Sequence, residues 1–255
     1  MSKVLAIARF TLLEAVRTRL PWLALAAVVL LLLASLFVQQ LAITETWRVR
    51  AGFLAVTTRL ALVFILALHV ASSMAREFND KGLDLLLSLD LPRTRYYLGK
   101  LLGFVAVAWL LAGLAAAGLA TTGLSPGWCA WSLSLALELT LVATLALFCV
   151  ITFVQIMPAI TVVAAFYLLA RSIAAIRLMS GSQLMDQASW TTHAARWLVD
   201  AMALVLPDLS RFTATDWLLT QSAAPAAIGF VLLQALVYGG LLTLAGLFDL
   251  HRRSL

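Results

Sequence analysis

The chain reads LPWLALAAVVLLLLASLFVQQLAIT from residue 20 to residue 44, 25 positions without an Asp, Glu, Lys or Arg. The same side chains are absent from four further runs, residues 60–75, 101–137, 139–170 and 217–248. A helix needs about 20 apolar residues to cross a hydrocarbon layer about 30 Å thick, and it satisfies its backbone hydrogen bonds internally. These runs therefore predict an all-α membrane protein with several spanning helices.

The composition of the whole chain points to the same class. Of the 255 residues, 63% are hydrophobic and 12% are charged, whereas soluble domains carry about 25% charged residues. A soluble globular protein is therefore excluded. The formal net charge of +6 could indicate a nucleic-acid partner, but the basic residues flank the apolar runs instead of forming one patch. We expect no nucleic-acid partner and attribute the positive charge to membrane topology.

Length limits divide the apolar runs into six spans. One helix over residues 128–178 would be about 76 Å long, more than twice the hydrocarbon thickness. Because Pro158 disfavours a helical conformation at Met157, a break is predicted at residues 155–158. The predicted spans are about 21–43, 53–74, 98–120, 129–155, 158–178 and 225–248, and residues 180–224 form a predicted extracytoplasmic loop with two short amphipathic pieces.

The basic side chains predict the orientation of these spans. Eleven Lys and Arg residues lie in residues 1–21, in the 75–100 loop and in the tail after residue 248, whereas five lie on the opposite side. Cytoplasmic loops carry the excess of Lys and Arg in membrane proteins. Both termini are therefore expected in the cytoplasm.

Residues 3–20 are predicted to form an N-terminal interfacial helix on the inner leaflet. On a helical wheel, polar and apolar side chains separate into two arcs, Lys3, Thr11, Glu14, Arg17 and Thr18 against Leu5, Leu12, Leu13, Val16 and Leu20. Arg9 and Arg19 fall among the apolar positions.

The loop between the second and third spans reads REFNDKGLDLLLSLDLPRTRYYLGK over residues 76–100. Its first charges precede a block of leucines, residues 83–91, which is too short to span a membrane and is ended by Pro92. This pattern predicts a short amphipathic helix at the cytoplasmic surface, with leucines available for a groove on a partner protein. A linker that lies along the membrane is the alternative.

This loop resembles the one between the second and third spans of ABC-2 type transporter permeases, notably the branch described as involved in multi-copper enzyme maturation. The residues that carry the resemblance are Glu77, Gly82, Leu86, Leu87, Pro92, Arg95, Tyr97, Gly99, Lys100 and Gly103. The start of the chain (Ala8, Arg9, Phe10, Glu14, Arg17) and LPDLSRF over residues 206–212 are similar to two other parts of that branch. Leu83 departs from the pattern, which usually has Thr or Ser there.

The resemblance implies the permease subunit of an exporter in the bacterial inner membrane, which dimerises and binds a separate ATPase on each cytoplasmic loop. Residues 76–92 would then be the coupling helix. The implied coupling residues are Arg76, Glu77, Asp80, Gly82, Leu86, Leu87, Pro92 and Arg95. ATP and Mg²⁺ would bind to the partner ATPase, and no cofactor is expected in this chain, because Gly99 and Lys100 are followed by Leu101 and form no G-x-x-x-x-G-K-[ST] motif.

Three charged residues, Arg59, Glu138 and Arg171, fall inside predicted spans. Counted from the outer end of each span, they lie at similar depths of about 10–13 Å. A charge in hydrocarbon is costly unless it is paired or hydrated. We therefore predict that Glu138 pairs with Arg171 or Arg59. A structural ion pair, a polar lining of a substrate path and unpaired snorkelling are the alternatives for their role.

An intramembrane enzyme and a scaffold are the alternatives to a transporter subunit. An intramembrane enzyme would need a nucleophile with a base or a metal cluster, but the sequence has no G-x-S-x-G and no H-E-x-x-H motif. His69, His193 and His251 are far apart in sequence, so no catalytic or metal site is expected. A non-transporting scaffold or assembly subunit would fit the loop nearly as well as a permease.

Overall fold

The computed structural model describes residues 3–41, 46–79, 92–121, 126–180, 190–219 and 225–252. Within these ranges the chain is almost entirely helical and has no β-strand. The helices are α1 (Lys3–Arg17), α2 (Leu20–Leu41), α3 (Thr46–Asn79), α4 (Arg93–Ala120), α5 (Trp128–Phe153), α6 (Ile156–Ser180), α7 (Trp190–Val205), α8 (Asp216–Leu219) and α9 (Pro225–Arg252). A 3₁₀ turn at Leu209–Arg211 lies between α7 and α8.

Six of these helices, α2 to α6 and α9, are long and apolar enough to cross a membrane. The chain is a multi-pass helical membrane protein, which confirms the predicted fold class. The 34 residues of α3 make a helix about 51 Å long, which is longer than the hydrocarbon is thick. We call the end of the bundle where α3 ends the loop end, and the end where α3 begins the turn end.

The chain breaks between α5 and α6, inside the long apolar region where the sequence predicts an interruption. Val154 follows α5 with a left-handed backbone, φ 61°. α6 then begins at Ile156, so Pro158 lies in its first turn. The missing N–H of a proline costs no intrahelical hydrogen bond at that position, and its fixed φ suits a helix start. The left-handed Val154 therefore lies at the break itself, and Pro158 is compatible with the start of the next spanning helix.

Helix α5 is the centre of the bundle. Its apolar stretch is 78% buried, whereas that of α9 is 6% buried. Helices α3, α4, α6 and α9 all pack against α5. Its large buried side chains include Trp131, Leu135 and Leu139. Because α5 is enclosed by other helices, its single charged residue, Glu138, is removed from both water and lipid.

Helix α1 packs along the start of α4, and two glycines make the close approach possible. A Cβ atom at Gly103 would lie 2.5 Å from Cβ of Thr11, and one at Gly99 would lie 2.8 Å from Cβ of Ile7. Small residues let helix backbones approach in this way in membrane proteins. Thr11 is buried whereas Leu13 is exposed, so the middle of the polar arc of α1 faces the protein, while Lys3, Arg17 and Thr18 are exposed.

The region between α6 and α9 folds back into the turn end of the bundle. Helix α7 packs against α6, and α8 packs against α3 and α5. Between them, residues 206–213 form an irregular segment that we call the inner turn. Gly127 permits the close approach of α8, because a Cβ atom there would overlap the carbonyl oxygen of Trp217. The inner turn is thus held among spanning helices instead of lying over the surface.

Candidate functional site

Glu138 is the centre of a buried charge network at the turn end. Its side chain has no exposed surface. Oε1 accepts a hydrogen bond of 2.8 Å from the hydroxyl of Tyr167, and Oε2 accepts one of 2.7 Å from Oγ1 of Thr213. Nη1 of Arg171 lies 3.7 Å from Oε1. The carboxylate is therefore paired with Arg171, one of the two partners that its depth predicts.

Arg59 joins the same network through an intermediary. It is 5% exposed, and its Nη1 donates hydrogen bonds of 3.2 Å to the carbonyl oxygen of Thr213 and 3.0 Å to Oγ1 of that residue. The hydroxyl of Thr213 thus accepts from Arg59 and donates to Glu138. This bridge couples α3 to α5 at one buried atom.

The two arginines also satisfy backbone groups of the inner turn. Nη1 of Arg171 donates to the carbonyl oxygens of Leu209 and Phe212, the latter at 2.8 Å. The N–H of Thr213 donates to Oγ of Ser134 at 2.9 Å. Irregular backbone inside a membrane protein is stable only where its polar groups find such partners. The charge network therefore makes it possible for the inner turn to enter the bundle.

The depth of the network follows from its positions along the helices. Arg59 lies about 20 Å along α3 from Thr46, and Glu138 lies about 15 Å along α5 from Trp128. Arg171 lies about 14 Å before the end of α6. All three are within the spanning segments. The inner turn must therefore penetrate well below the ends of these helices in order to meet them.

The geometry favours a structural role for the three charges over unpaired snorkelling. Removal of one partner from a buried ion pair costs about 3–5 kcal/mol, because it leaves an uncompensated charge. Here one carboxylate faces two guanidinium groups, and hydroxyls occupy the remaining positions around Glu138. Tyr167, Ser134 and Thr213 complete the network, and sequence analysis does not identify them. The motif at residues 206–212, which ends one residue before Thr213, is the sequence signal nearest to them.

A second cluster lies at the loop end, where α3 and α4 flank the predicted coupling segment. Nζ of Lys100 is 2.5 Å from Oε2 of Glu77, and the two side chains are 9% and 16% exposed. Glu77 is in the last turn of α3, and Lys100 is in the second turn of α4. The ion pair therefore joins the ends of the two helices directly.

The same cluster attaches α1 to α3. Oε1 of Glu14 accepts a hydrogen bond of 2.8 Å from Oγ of Ser73 and one of 3.4 Å from Nη2 of Arg76. Because Glu14 lies three residues after Thr11 on the polar arc of α1, these contacts hold the middle of that arc against the bundle. Arg76 and Glu77, two of the predicted coupling residues, are thus engaged in contacts within the chain.

The other predicted coupling residues divide into two groups. Pro92 is exposed and precedes the first residue of α4 with an extended backbone, φ −62° and ψ 135°, and Arg95 is exposed on the first turn of α4. The remaining four, Asp80, Gly82, Leu86 and Leu87, lie outside the described residues. Their role in partner binding stays a prediction.

The end of α9 is also connected to the loop end. Nη1 of Arg93 donates a hydrogen bond of 3.3 Å to the carbonyl oxygen of Leu250. Oγ1 of Thr152, at the end of α5, donates one of 2.9 Å to Oδ2 of Asp249. The last turn of α9 is therefore held beside the start of α4. α1 and the end of α9 lie at the same end of the bundle.

No protein-family model matches this sequence, and no curated protein sequence matches it significantly. The motifs of the loop and the geometry of the two clusters are therefore the features that indicate a function.

Proposed function

We propose that the chain is the permease subunit of an ATP-driven ABC-2 type transporter. In this proposal it acts as an exporter, forms a homodimer in a bacterial inner membrane and has both termini in the cytoplasm. The observation that carries the proposal is the ion pair between Glu77 and Lys100 on either side of the 80–91 segment. A segment anchored in this way to two spanning helices is what a coupling element requires.

The ion pair would make α3 and α4 respond together to a force on the loop. Oε2 of Glu77 and Nζ of Lys100 are 2.5 Å apart, which joins the ends of these helices through their side chains. Helix α3 continues without a break from Arg76 to Arg59, a distance of about 26 Å. A displacement at the loop end can therefore reach the buried charge network through one continuous helix.

The proposed transport cycle follows from this connection. Each ATPase subunit would bind ATP and Mg²⁺, and closure of the two ATPases would move the two coupling segments. Helix α3 would transmit the movement to Arg59, whose guanidinium binds Thr213 of the inner turn. In this proposal the inner turn is extracytoplasmic, and its movement changes access to the permease from that side.

The test uses the chain co-purified with its ATPase and reconstituted into proteoliposomes. The double substitution Leu86→Ser/Leu87→Ser removes the two predicted anchors, and Leu98→Ser removes an exposed leucine from α4 nearby. Those few interface side chains that act as central anchors cost more than about 1 kcal/mol each when they are truncated. We expect the double variant to lower the affinity for the ATPase at least about tenfold, and the control to leave it unchanged.

ATP hydrolysis separates the transporter from the scaffold. A transporter requires hydrolysis that depends on the bound permease and is lost in the double variant. The rate of ATP hydrolysis is compared for the ATPase alone, with the wild-type chain and with the double variant. If the wild-type chain binds the ATPase but the three rates are equal, the chain does not couple hydrolysis to movement. That result would favour the scaffold or assembly subunit.

A further inference from the structure

A cavity of about 220 Å³ lies at the loop end, between the start of α2 and the second half of α3. One end of its wall is polar and the other is apolar. Its lining residues are Thr18, Leu20, Leu23, Ile65, Leu68, His69, Ser72 and Arg76. Leu23 and Leu68 are 57% and 54% exposed, so the apolar end opens onto the lipid-facing surface of the bundle.

The polar end of the cavity carries an excess of positive charge. The side chain of Arg76 is 55% exposed, and its contact with Glu14 is long, at 3.4 Å. Arg17 and Arg19 are exposed on either side of Thr18, which lines the cavity. Arg76 lines the cavity, and Arg17 and Arg19 adjoin the lining residue Thr18 in sequence, so this part of the chain carries three guanidinium groups for the one carboxylate of Glu14. An anionic ligand complements this charge distribution.

His69 also lines the cavity. The residue is 7% exposed, and its buried Nε2 has no hydrogen-bond partner among the residues that the structure describes. Buried polar atoms in proteins nearly always have a partner. Helix α2 also begins at the cavity wall, at Leu20, so its partial positive charge lies there.

The polar and apolar residues of the cavity wall lie at different depths in the membrane, and this indicates what kind of anion fits. Arg76 is three residues from the end of α3, whereas Ile65 lies about 16 Å further into the bundle. The cationic end is therefore near the headgroup level, and the leucine and isoleucine side chains continue into the hydrocarbon. A free anion would use only the first part of this wall, whereas a phospholipid would use both.

We propose that this cavity is a binding site for an anionic phospholipid of the leaflet at the loop end. Its headgroup phosphate binds beside Arg76, with Thr18, Ser72 and His69 around it, and an acyl chain lies along Leu23 and Leu68. Basic pockets between spanning helices are known to select anionic headgroups in this way. The lipid joins the α1–α2 junction to α3. This proposal is independent of the transport function.

The test measures lipid binding by native mass spectrometry of the purified full chain in detergent, with added phosphatidylglycerol or phosphatidylcholine. We expect phosphatidylglycerol to bind at least about fivefold more tightly than phosphatidylcholine. Arg76→Gln should weaken the binding of phosphatidylglycerol about fivefold, which is the effect of one basic residue near an anionic lipid surface. Arg9→Gln is the matched control, because Arg9 is exposed on α1 and does not line the cavity. Its expected effect is less than about twofold.

A third variant, Leu68→Trp, fills the mouth of the cavity without a change of charge, and we expect it to weaken phosphatidylglycerol binding as much as Arg76→Gln does. If Arg76→Gln does not fold, this variant decides the question, because Leu68 is exposed to lipid and tolerates an apolar replacement. Equal losses of affinity for phosphatidylglycerol in Arg9→Gln and Arg76→Gln would overturn the proposal, because they would show a general attraction of the lipid to basic residues instead of a binding site. Undiminished binding to Leu68→Trp, or full displacement of the lipid by inorganic phosphate, would also overturn it.

Discussion

Thr213 and Glu138 are joined by a hydrogen bond of 2.7 Å, from Oγ1 to Oε2, although 75 residues separate them in sequence. The same hydroxyl accepts from Arg59, 154 residues away. One buried oxygen atom therefore connects α3, α5 and the inner turn. The stability of this end of the bundle should depend on it.

We predict that Thr213→Val destabilises the protein and that Thr213→Ser does not. Valine has the shape of threonine but no hydroxyl, so it leaves Arg59 and Glu138 without a shared partner. An unsatisfied buried group costs about 1–3 kcal/mol, and more where it is charged. Thermal unfolding of the purified chain in detergent, followed by tryptophan fluorescence, measures the loss.

Thr161→Val is the control for this measurement. Thr161 is exposed, and its hydroxyl bonds to the carbonyl oxygen of Met157 in its own helix. Its loss should therefore change the free energy of unfolding by less than about 0.5 kcal/mol. An equal effect of the two valine substitutions would show that the bridge at Thr213 contributes nothing specific.

The assignment of Arg171 as the direct partner of Glu138 predicts an unequal rescue. Glu138→Arg places a third cation in the network and should destabilise it by at least about 3–5 kcal/mol. A second substitution, Arg171→Glu, restores an opposite pair over the short contact and should recover part of that loss. Arg59→Glu should recover less, because Arg59 reaches Glu138 through Thr213.

The measurement is the unfolding midpoint of the single variant and of both double variants. A double-variant comparison isolates the pairwise contribution when the residues are in contact. Rescue by Arg59→Glu that equals or exceeds rescue by Arg171→Glu would contradict the assignment. The order of the two rescues matters more than the size of either shift in midpoint. Arg59, Arg171 and Glu138 also form hydrogen bonds with the inner turn, and each substitution removes some of these.

The spanning helices were predictable because their signal is local. Charge-free runs of sufficient length specify a spanning helix without reference to the rest of the chain. The interruption near Pro158 is equally local, since the ring of a proline constrains its own turn and the preceding residue. The structure places that interruption at Val154 and Gln155.

The charge network was predictable only in part, for a physical reason. Arg59, Glu138 and Arg171 are conspicuous because a charge inside a span requires compensation. Ser134 and Thr213 are ordinary polar residues in sequence, and they acquire a role when the inner turn enters the bundle. That contact is between distant parts of the chain, so neither hydrophobic periodicity nor turn composition indicates it. The engagement of Glu77 by Lys100 was not predicted for the same reason.

The ion pair at the loop end predicts strong coupling between its two residues. Glu77 and Lys100 are both mostly buried, so Glu77→Gln or Lys100→Met alone should leave one uncompensated charge and cost about 3 kcal/mol or more. The double variant leaves no charge, and we expect it to be more stable than either single variant. Since the double variant should cost less than either single variant, the coupling energy should exceed about 3 kcal/mol in magnitude.

Chemical denaturation of the four proteins in detergent gives this coupling energy. The Arg177–Asp200 pair is the matched control, because its side chains are 57% and 60% exposed. An exposed pair contributes about 0–1 kcal/mol, so its cycle should be close to additive. Additive effects at Glu77 and Lys100 would show that the pair does not join α3 and α4 energetically.

The last prediction concerns the glycines that hold α1 against α4. Gly103→Val places branched carbon atoms where a Cβ atom alone would lie 2.5 Å from Thr11 Cβ and 3.1 Å from the carbonyl oxygen of Ala8. Helix α1 must then move away from α4, which should cost about 1–3 kcal/mol. Gly113→Val is the control, since a Cβ atom at Gly113 has nothing within 4 Å.

The displacement of α1 gives this prediction a readout besides stability. Glu14 bonds to Ser73 only while α1 stays close to the bundle. In Gly103→Val, a cysteine introduced at Ser73 should therefore become accessible to a maleimide reagent, whereas in Gly113→Val it should stay protected. Cys129 and Cys149 are replaced by serine and alanine beforehand, because both are free thiols. Equal labelling in the two backgrounds would mean that Gly103 does not position α1.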